Sequence, residues 1–399
     1  MVYNANGDYM TKPHQIGLKV LKRINDASYE AFFVGGFVRD FILKIESTDI
    51  DIATNARPEA IQSLFDKVIP TGLKYGTVTV IEEGYTFEVT TYRTEDNYQD
   101  NRHPDTVKYS TYLKDDLSRR DFTINQLVMD KNGQIFDHHH GLDDLNNQRI
   151  RTIGDPKARF EEDSLRLLRA FRFSAKLGFQ IEEKTIEAII QVGALIRNVS
   201  IERIQNELSM LFEMPHKKKA IQAMIDTDFH RALFDLNAGF NKLYETTALF
   251  DELLAWTVLF LESGYDAKLW KLPNKTIHSI KTITKLHLQS KDSPFDVFQL
   301  FNFGLSMVTY ANQLNQIYGL EDQTALIKSL HQSMPIHHVC DLAFKGEHII
   351  KQFKITNKRH IGALIDYLIE AVLLKQVDND YESLKKYAQE VLQRLESGL

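Results

Sequence analysis

The hydrophobic pattern of this chain changes period once, near residue 150, and that change limits what the chain can fold into. Over the first 140 or so residues, β-branched and aromatic runs at 31–34, 49–53, 77–81, 87–91 and 107–109 predict strands. Residues 58–65, opening on Pro58, predict a helix among them. From about residue 156 onward the apolar residues recur at helical spacing, first at Leu165, Leu168, Phe171 and Ala175, then at Ile186, Ile189 and Ile190. Further amphipathic helices are predicted at 251–263, 274–288, 324–332, 361–375 and 381–395. A strand-rich part followed by a helical one predicts the α+β class. At 399 residues the chain exceeds one ordinary core, so two to four domains are expected. Residues 93–104 (RTEDNYQDNRHP) show no apolar period and predict a long mobile loop.

Composition acts by exclusion. The longest apolar run, 253–261, is too short to span a bilayer and contains Thr257, so no membrane association is expected. The first ten residues lack the basic flank and apolar stretch of a signal peptide, which predicts a cytoplasmic protein. A single cysteine, Cys340, excludes an internal disulfide framework and a cysteine-based zinc site. The net charge of −6 disfavours a protein that coats nucleic acid, but leaves room for local basic patches that grip a defined RNA. Lys217, Lys218 and Lys219, and Lys351, Lys354, Lys358 and Arg359, are candidates, although such clusters are more often solvated faces.

Three constellations carry chemistry. In a strand, residues two apart share a face, so Asp49 and Asp51 can reach one metal cluster. About ten residues earlier, Gly35 and Gly36 let backbone approach phosphates without a Cβ, and Arg39 adds a rigid cationic fork. Glu88, on a neighbouring predicted strand, can complete a carboxylate triad, an oxygen-only set suited to magnesium. Carboxylates beside a phosphate cradle suggest nucleotidyl transfer. The second constellation, 119–125 (RRDFTIN), offers Arg119 and Arg120 to a triphosphate and Asp121, Thr123 and Asn125 to a ribose. The third runs from Arg159 to Phe173. Read as one continuous helix, it sets Asp163 and Arg166 about 60° apart on a face continued by Arg169 and Arg172. A surface helix with a Glu162–Arg166 pair is the plainer alternative, but it leaves arginines at steps of three unexplained.

Together, GGFVRD (35–40), DID (49–51), FEVTTYR (87–93), RRDFTIN (119–125), EEDSLRLLRAFRFSAKLGF (161–179) and SIERIQNEL (200–208) resemble the class II tRNA nucleotidyltransferases. These are the CCA-adding enzymes, with bacterial poly(A) polymerases as close relatives. The motifs span residues 32–208, about half the chain, with a weaker local match at 270–275. The resemblance implies a polymerase-β-like nucleotidyltransferase head with a mixed sheet (1–145). It also implies an all-helical neck that recognises the base (146–210), a helical body (211–300) and a helical tail that binds tRNA (301–399). It implies Mg²⁺ on Asp49 and Asp51, with Glu88 as a third catalytic acid, Gly35, Gly36 and Arg39 around phosphates, and Arg120 on the nucleotide. Asp163 and Arg166 match the pair that reads the incoming base, and Arg169 and Arg172 match further nucleotide contacts.

The base-reading assignment has a physical logic. A carboxylate only accepts and a guanidinium only donates, so Asp163 can take an amine proton while Arg166 donates to a ring nitrogen. Cytosine and adenine both offer that pattern, whereas uracil and guanine turn a carbonyl toward the carboxylate. The resemblance therefore implies completion of the tRNA 3′ end from CTP and ATP, with no obligatory protein partner. Within the family, a poly(A) polymerase or an enzyme adding only CC or only A remains open. Outside it, a small-molecule nucleotidyltransferase or a noncatalytic RNA-binding protein remains open. No His-Asp dipeptide of the kind marking an appended phosphohydrolase domain occurs. Two positions depart from the family pattern: His140 replaces the first of two glycines after Asp137, and Gln126 replaces a small residue. The histidine run 138–140 reads as a surface loop.

Overall fold

The computed structural model describes residues 2–3, 9–47, 49–98, 104–354 and 358–396. The chain divides into two compact units, Met1–Phe240 and Asn241–Leu399. The first is built on a seven-stranded sheet from β1 (Ala31–Val34), β2 (Asp51–Thr54), β3 (Val68–Gly72), β4 (Thr77–Glu82), β5 (Tyr85–Thr91), β8 (Val128–Met129) and β9 (Ile135–Phe136). Their order is β9-β8-β1-β2-β5-β4-β3, and only the β2–β5 pair is parallel. Helix α1 (Lys12–Asp26) buries Val20, Leu21 and Ile24, and touches the sheet residue Phe33 through Gly17. A Cβ on Gly17 would stand 2.9 Å from the Phe33 ring, so glycine sets that approach.

The expected loop at 93–104 is a correction. Residues 93–98 form a strand, β6 (Arg93–Tyr98), that pairs antiparallel with β7 (Pro104–Tyr109) as a separate two-stranded ribbon. The remaining residues of that stretch, 99–103, lie outside the described residues. A ribbon apart from the main sheet can be held by its backbone ladder alone, so its sequence need not carry the alternation by which strands are recognised. The strand expected at 49–53 starts two residues later, because pairing with β1 begins at Asp51 opposite Val34.

Short helices α2 (Gly36–Ile42), α3 (Pro58–Leu64), α4 (Leu113–Ser118) and α5 (Gly141–Asn146) connect the strands. Beyond them α6 (Pro156–Glu162), α7 (Leu165–Leu177), α8 (Glu183–Val192), α9 (Ile201–Glu213) and α10 (Lys217–Asp226) complete most of the first unit. In α7, Leu165, Leu168, Phe171 and Ala175 are buried as their spacing predicts, while Ile190 in α8 is 59% exposed against expectation. The continuous helix expected through Asp163 is broken. Asp163 adopts φ −140° and ψ 99°, and its Oδ1 accepts from the Leu165 amide at 3.2 Å. An aspartate that bonds its own backbone competes with the helix and ends it.

The second unit is helical, with Glu252–Ser263, Asn274–Gln289, Val297–Ile317, Thr324–Ser333, Gly346–Phe353, Lys358–Leu373 and Tyr381–Glu396. Trp256 and Trp270 are buried, and Trp256 stacks on Phe260 at 5.4 Å. The helix Val297–Ile317 is interrupted at Gly304 (φ 77°), which masks its period in the sequence.

The turn that departs from the family pattern is resolved in detail. His140 takes the left-handed conformation (φ 60°, ψ 36°), and the Asp137 carboxylate accepts amides from His139, Gly141 and Leu142. Gly141 cannot be replaced, since a Cβ there would meet the Thr123 carbonyl oxygen at 2.4 Å. The left-handed backbone costs a histidine about 1–2 kcal/mol, whereas glycine loses about 0.4–1 kcal/mol in the unfolded chain. The exposed His140–Asp143 pair adds little against this. His140→Gly is therefore expected to raise stability by about 0.5–1 kcal/mol, read as a higher denaturant midpoint; a lower midpoint would refute strain at this turn.

Candidate active site

The carboxylates meet through strand register. Asp51 and Glu88 are direct partners across the parallel β2–β5 pair, so their Cβ atoms leave the same face, and the Glu88 amide donates to the Ile50 carbonyl at 3.2 Å. Asp49 is exposed, Ile50 buried and Asp51 half-buried, an alternation that puts both aspartates on one side although Asp49 precedes the strand. Burial, together with the nearby charges of Asp49 and Glu88, pushes the Asp51 carboxyl up to about 6, although Arg120 opposes the rise. Among the described residues no group of three or more histidine, cysteine, aspartate or glutamate side chains converges at metal-ligand distance. The three acids are therefore neighbours coupled by charge rather than a closed shell. Such a pair of aspartates with open positions suits a cation that also binds phosphates and water.

Gly35 (φ 70°) precedes α2 and lies between opposite charges. A Cβ there would stand 3.0 Å from Arg120 Nη1 and 3.4 Å from Asp51 Oδ2. Both the backbone sign and the space require glycine.

Facing the carboxylates is a wall of arginines, several of them backed by a buried acid. Asp116 on α4 accepts from Arg119 at 2.7 Å and Arg120 at 3.1 Å. Burial would raise the Asp116 pKa, but the two guanidiniums outweigh it and hold it low. Arg39 is only 2% exposed; it donates to Asp40 at 2.8 Å and to Asn125 at 2.5 Å. Arg169 donates twice to Asp121, at 2.6 and 2.9 Å, and Arg172 donates to Glu207 at 2.5 Å. Arg39, Arg169 and Arg172 surround the Phe173 ring at 5.2, 5.4 and 4.4 Å from its centroid. Arg166 donates to the carbonyls of Arg119 (2.8 Å) and Arg159 (3.0 Å) and to Glu162 (2.9 Å). The i,i+4 pair of the plainer sequence reading thus exists, and two of the five Arg166 N–H groups stay outside these bonds. Asp163 is 19% exposed and accepts from Arg203 at 3.3 Å.

One cavity of about 770 Å³ gathers the residues singled out in the sequence: Asp49, Asp51, Glu88, Gly35, Gly36, Arg39, Arg120, Asp163, Arg166, Arg169 and Arg172 all line it. Lys176, Phe173 and Arg93 line it too and were not anticipated. Within 119–125, Arg119, Arg120, Asp121 and Asn125 line the cavity and Thr123 does not. Thr123 is buried and donates to Asp144 at 2.6 Å, and Asp121 and Asn125 are committed to arginines. The backing acids Asp116, Asp121 and Glu207 carry no signal of burial in their spacing; only the arginines before and after them could have raised the question. Gln126 is buried and its Nε2 donates to the Leu117 carbonyl, which ties the 119–125 segment to α4.

A mixed sheet with register-paired carboxylates opposite an arginine wall defines a nucleotidyltransferase head, and comparison with known proteins agrees. Residues 31–151 match the family described as Poly A polymerase head domain. Residues 178–237 match the family described as Probable RNA and SrmB- binding site of polymerase A, and residues 248–388 match the one described as tRNA nucleotidyltransferase domain 2 putative. The CCA-adding enzyme of Streptococcus pyogenes serotype M3 is 34% identical over 397 residues, covering 96% of this chain and 99% of that protein. The structure of the Bacillus stearothermophilus CCA-adding enzyme in complex with CTP superposes with a TM-score of 0.84 at 29% identity, covering 98% and 100% of the two chains. The Thermotoga maritima CCA-adding enzyme complexed with tRNA shares the fold at a TM-score of 0.65 and 21% identity, over 96% of each chain. This chain belongs to the family of CCA-adding enzymes, the tRNA nucleotidyltransferases, with an α+β head and a helical remainder.

Proposed function

We propose that this protein builds and repairs the 3′-terminal CCA of tRNA from CTP and ATP, one nucleotide at a time, with release of pyrophosphate. The observation that carries this reading is the single cavity lined both by the Asp51–Glu88 register pair and by Asp163 and Arg166. Chemistry and base selection then occur in one enclosure.

The tRNA 3′-hydroxyl attacks the α-phosphorus in line and the bond to the pyrophosphate oxygen breaks. Asp49 and Asp51 would hold divalent cations such as Mg²⁺, and Glu88 would supply further negative charge beside them. The oxygen-only donors, and the burial and neighbouring negative charges that raise Asp51, fit such an ion. When bound, the metal lowers the pKa of the attacking hydroxyl and offsets charge on the triphosphate. Arg120 lines the cavity and spends one Nη1 N–H on the Asn125 carbonyl and one Nη2 N–H on Asp116, so its other Nη donors are available to a phosphate oxygen. Gly35 and Gly36 leave room for the triphosphate, and Arg39, Arg169 and Arg172 add positive potential behind it. Asp163 accepts the exocyclic amine of cytosine or adenine, and an uncommitted N–H of Arg166 donates to the ring nitrogen.

We take the chain as head (1–145), neck (146–210), body (211–300) and tail (301–399), with the last binding tRNA. Among the described residues no helix is long and apolar enough to cross a membrane. A substrate of this kind places the protein in the cytoplasm.

A tRNA lacking its last three nucleotides, incubated with each triphosphate singly and with CTP and ATP together, tests the reading. CTP alone is expected to add two residues, CTP with ATP three, and UTP or GTP none. Long adenylate tails would show a poly(A) polymerase, and arrest after two additions with both substrates present would show a partial enzyme.

A further inference from the structure

One side of the cavity takes no part in the nucleotide contacts above. Across the sheet the strands follow the order β1, β2, β5, β4, about 4.8 Å apart. Gly35 and Gly36 continue from the end of β1, with Arg39 on α2 and Arg120 beside Gly35. The carboxylates follow, Asp51 on β2 and Glu88 on β5. Beyond them, over β5 and β4, Thr90, Thr77 and Tyr75 also line the cavity. Thr90 lies two residues past Glu88 on the same face and is the direct partner of Thr77, their hydroxyl oxygens 3.0 Å apart. Tyr75 is half-buried and ends a turn, Leu73–Tyr75, that is tied down through its backbone. The Gly76 amide donates to the Leu73 carbonyl at 3.0 Å, the Thr91 amide donates to the Gly76 carbonyl at 2.9 Å, and Arg93 donates to the Tyr75 carbonyl.

In an in-line displacement the attacking and leaving oxygens stand on opposite sides of the phosphorus. With pyrophosphate leaving on the Gly35 and Arg39 side and the acids between, the attacking hydroxyl arrives from the β4–β5 side. We propose that Tyr75 and the Thr77–Thr90 hydroxyl pair seat the last nucleotide of the acceptor RNA, the ring stacking on its base and the hydroxyls bonding its ribose 2′-OH. This rests on the nucleotide reading of the cavity. Of two hydroxyls bonded to each other, one O–H is spent and one remains to give, with lone pairs left to accept. A 2′-OH both donates and accepts, so the pair complements it. Stacking on a ring is indifferent to base identity, which suits an acceptor end that changes with every addition. Lys74 Nζ, 5.8 Å from the Tyr75 ring centroid, adds positive charge where an RNA backbone would run.

On a tRNA lacking its last three nucleotides, Tyr75→Ala is expected to lower kcat/KM for the acceptor about 5- to 100-fold, with KM for CTP nearly unchanged. Tyr75→Phe keeps the ring and should retain most of the activity. A second arm uses the same tRNA ending in a 2′-deoxynucleotide, which the wild type should extend less well. Thr90→Val keeps the branched shape and removes one hydroxyl, and should shrink that preference about 5- to 10-fold. Melting curves of each variant separate folding losses from kinetic effects, and the Thr90→Val comparison decides the matter if Tyr75→Ala does not fold. An unchanged acceptor kcat/KM in folded Tyr75→Ala, or a rise in CTP KM that accounts for its loss, would overturn the proposal. So would an undiminished ribose preference in folded Thr90→Val. A wild-type protein that adds no nucleotide to tRNA would instead overturn the functional reading beneath it.

Discussion

Asp51→Asn is expected to stop nucleotide addition and, at the same time, to make the protein more stable. Loss of one carboxylate from the cation site should cost about four orders of magnitude in turnover, since such a site contributes several kcal/mol of transition-state stabilisation. The gain in stability follows from the same group. Burial, Asp49 and Glu88 raise the folded Asp51 pKa from 3.8 to about 6. Between those values the folded state binds more protons than the unfolded state, so this carboxylate makes stability fall as pH rises through that window. Below about pH 4 its cost is absent, and above about pH 6 it is complete. Asparagine cannot ionise, so the variant should match the wild type in acid and exceed it near neutrality. A difference on the order of 1–3 kcal/mol is expected, reduced by the partial exposure of Asp51. Melting of both proteins from pH 4 to pH 8 without divalent ions checks the sign. Added Mg²⁺ should raise the melting temperature of the wild type more than that of the variant. A less stable Asp51→Asn protein at pH 7, or a normally active one, would contradict the role given to this group.

Asp163→Ala should change which bases are accepted more than whether any are. The carboxylate is held by Arg203 and the Leu165 amide, which together leave acceptor directions open toward the cavity. A uracil or guanine carbonyl against that carboxylate leaves buried groups unpaired, at a cost of about 1–3 kcal/mol for each group or more for a charged one. Discrimination on the order of 100- to 1000-fold is therefore expected in the wild type and should fall below about 10-fold in the variant. The kcat/KM values for the four triphosphates on one tRNA acceptor provide the measurement. Retained preference for CTP and ATP would move base reading to another residue.

Much of the cavity lining is legible because its residue types are uncommon in combination. Asp49, Asp51, Gly35, Gly36 and Arg39 lie within seventeen positions, and alternation across Asp49, Ile50 and Asp51 is local. The register that pairs Asp51 with Glu88 is written in neither segment alone and is set by the parallel β2–β5 ladder. Four features were not legible, each for a physical reason. The ribbon Arg93–Tyr98 with Pro104–Tyr109 stands apart from the main sheet, and so shows no apolar period. The break at Asp163 arises from one side-chain bond to a backbone amide, which helical periodicity does not register. The acids behind the arginines look like surface charge until the fold buries them, as with Asp116 at 1% exposure. Strand β3, with Ile69 at 47% exposure, lacks a buried face to announce it.

The most direct test is relaxation of bound CTP by Mn²⁺ in place of Mg²⁺, with the cytosine ring protons followed by NMR. If the carboxylates and the Asp163–Arg166 pair serve one nucleotide, the ring protons will broaden sharply in the wild type. The broadening will fall in Asp51→Asn while CTP stays bound. Cytosine resonances that remain sharp with both Mn²⁺ and CTP bound to the wild type would show that base and metal occupy separate places.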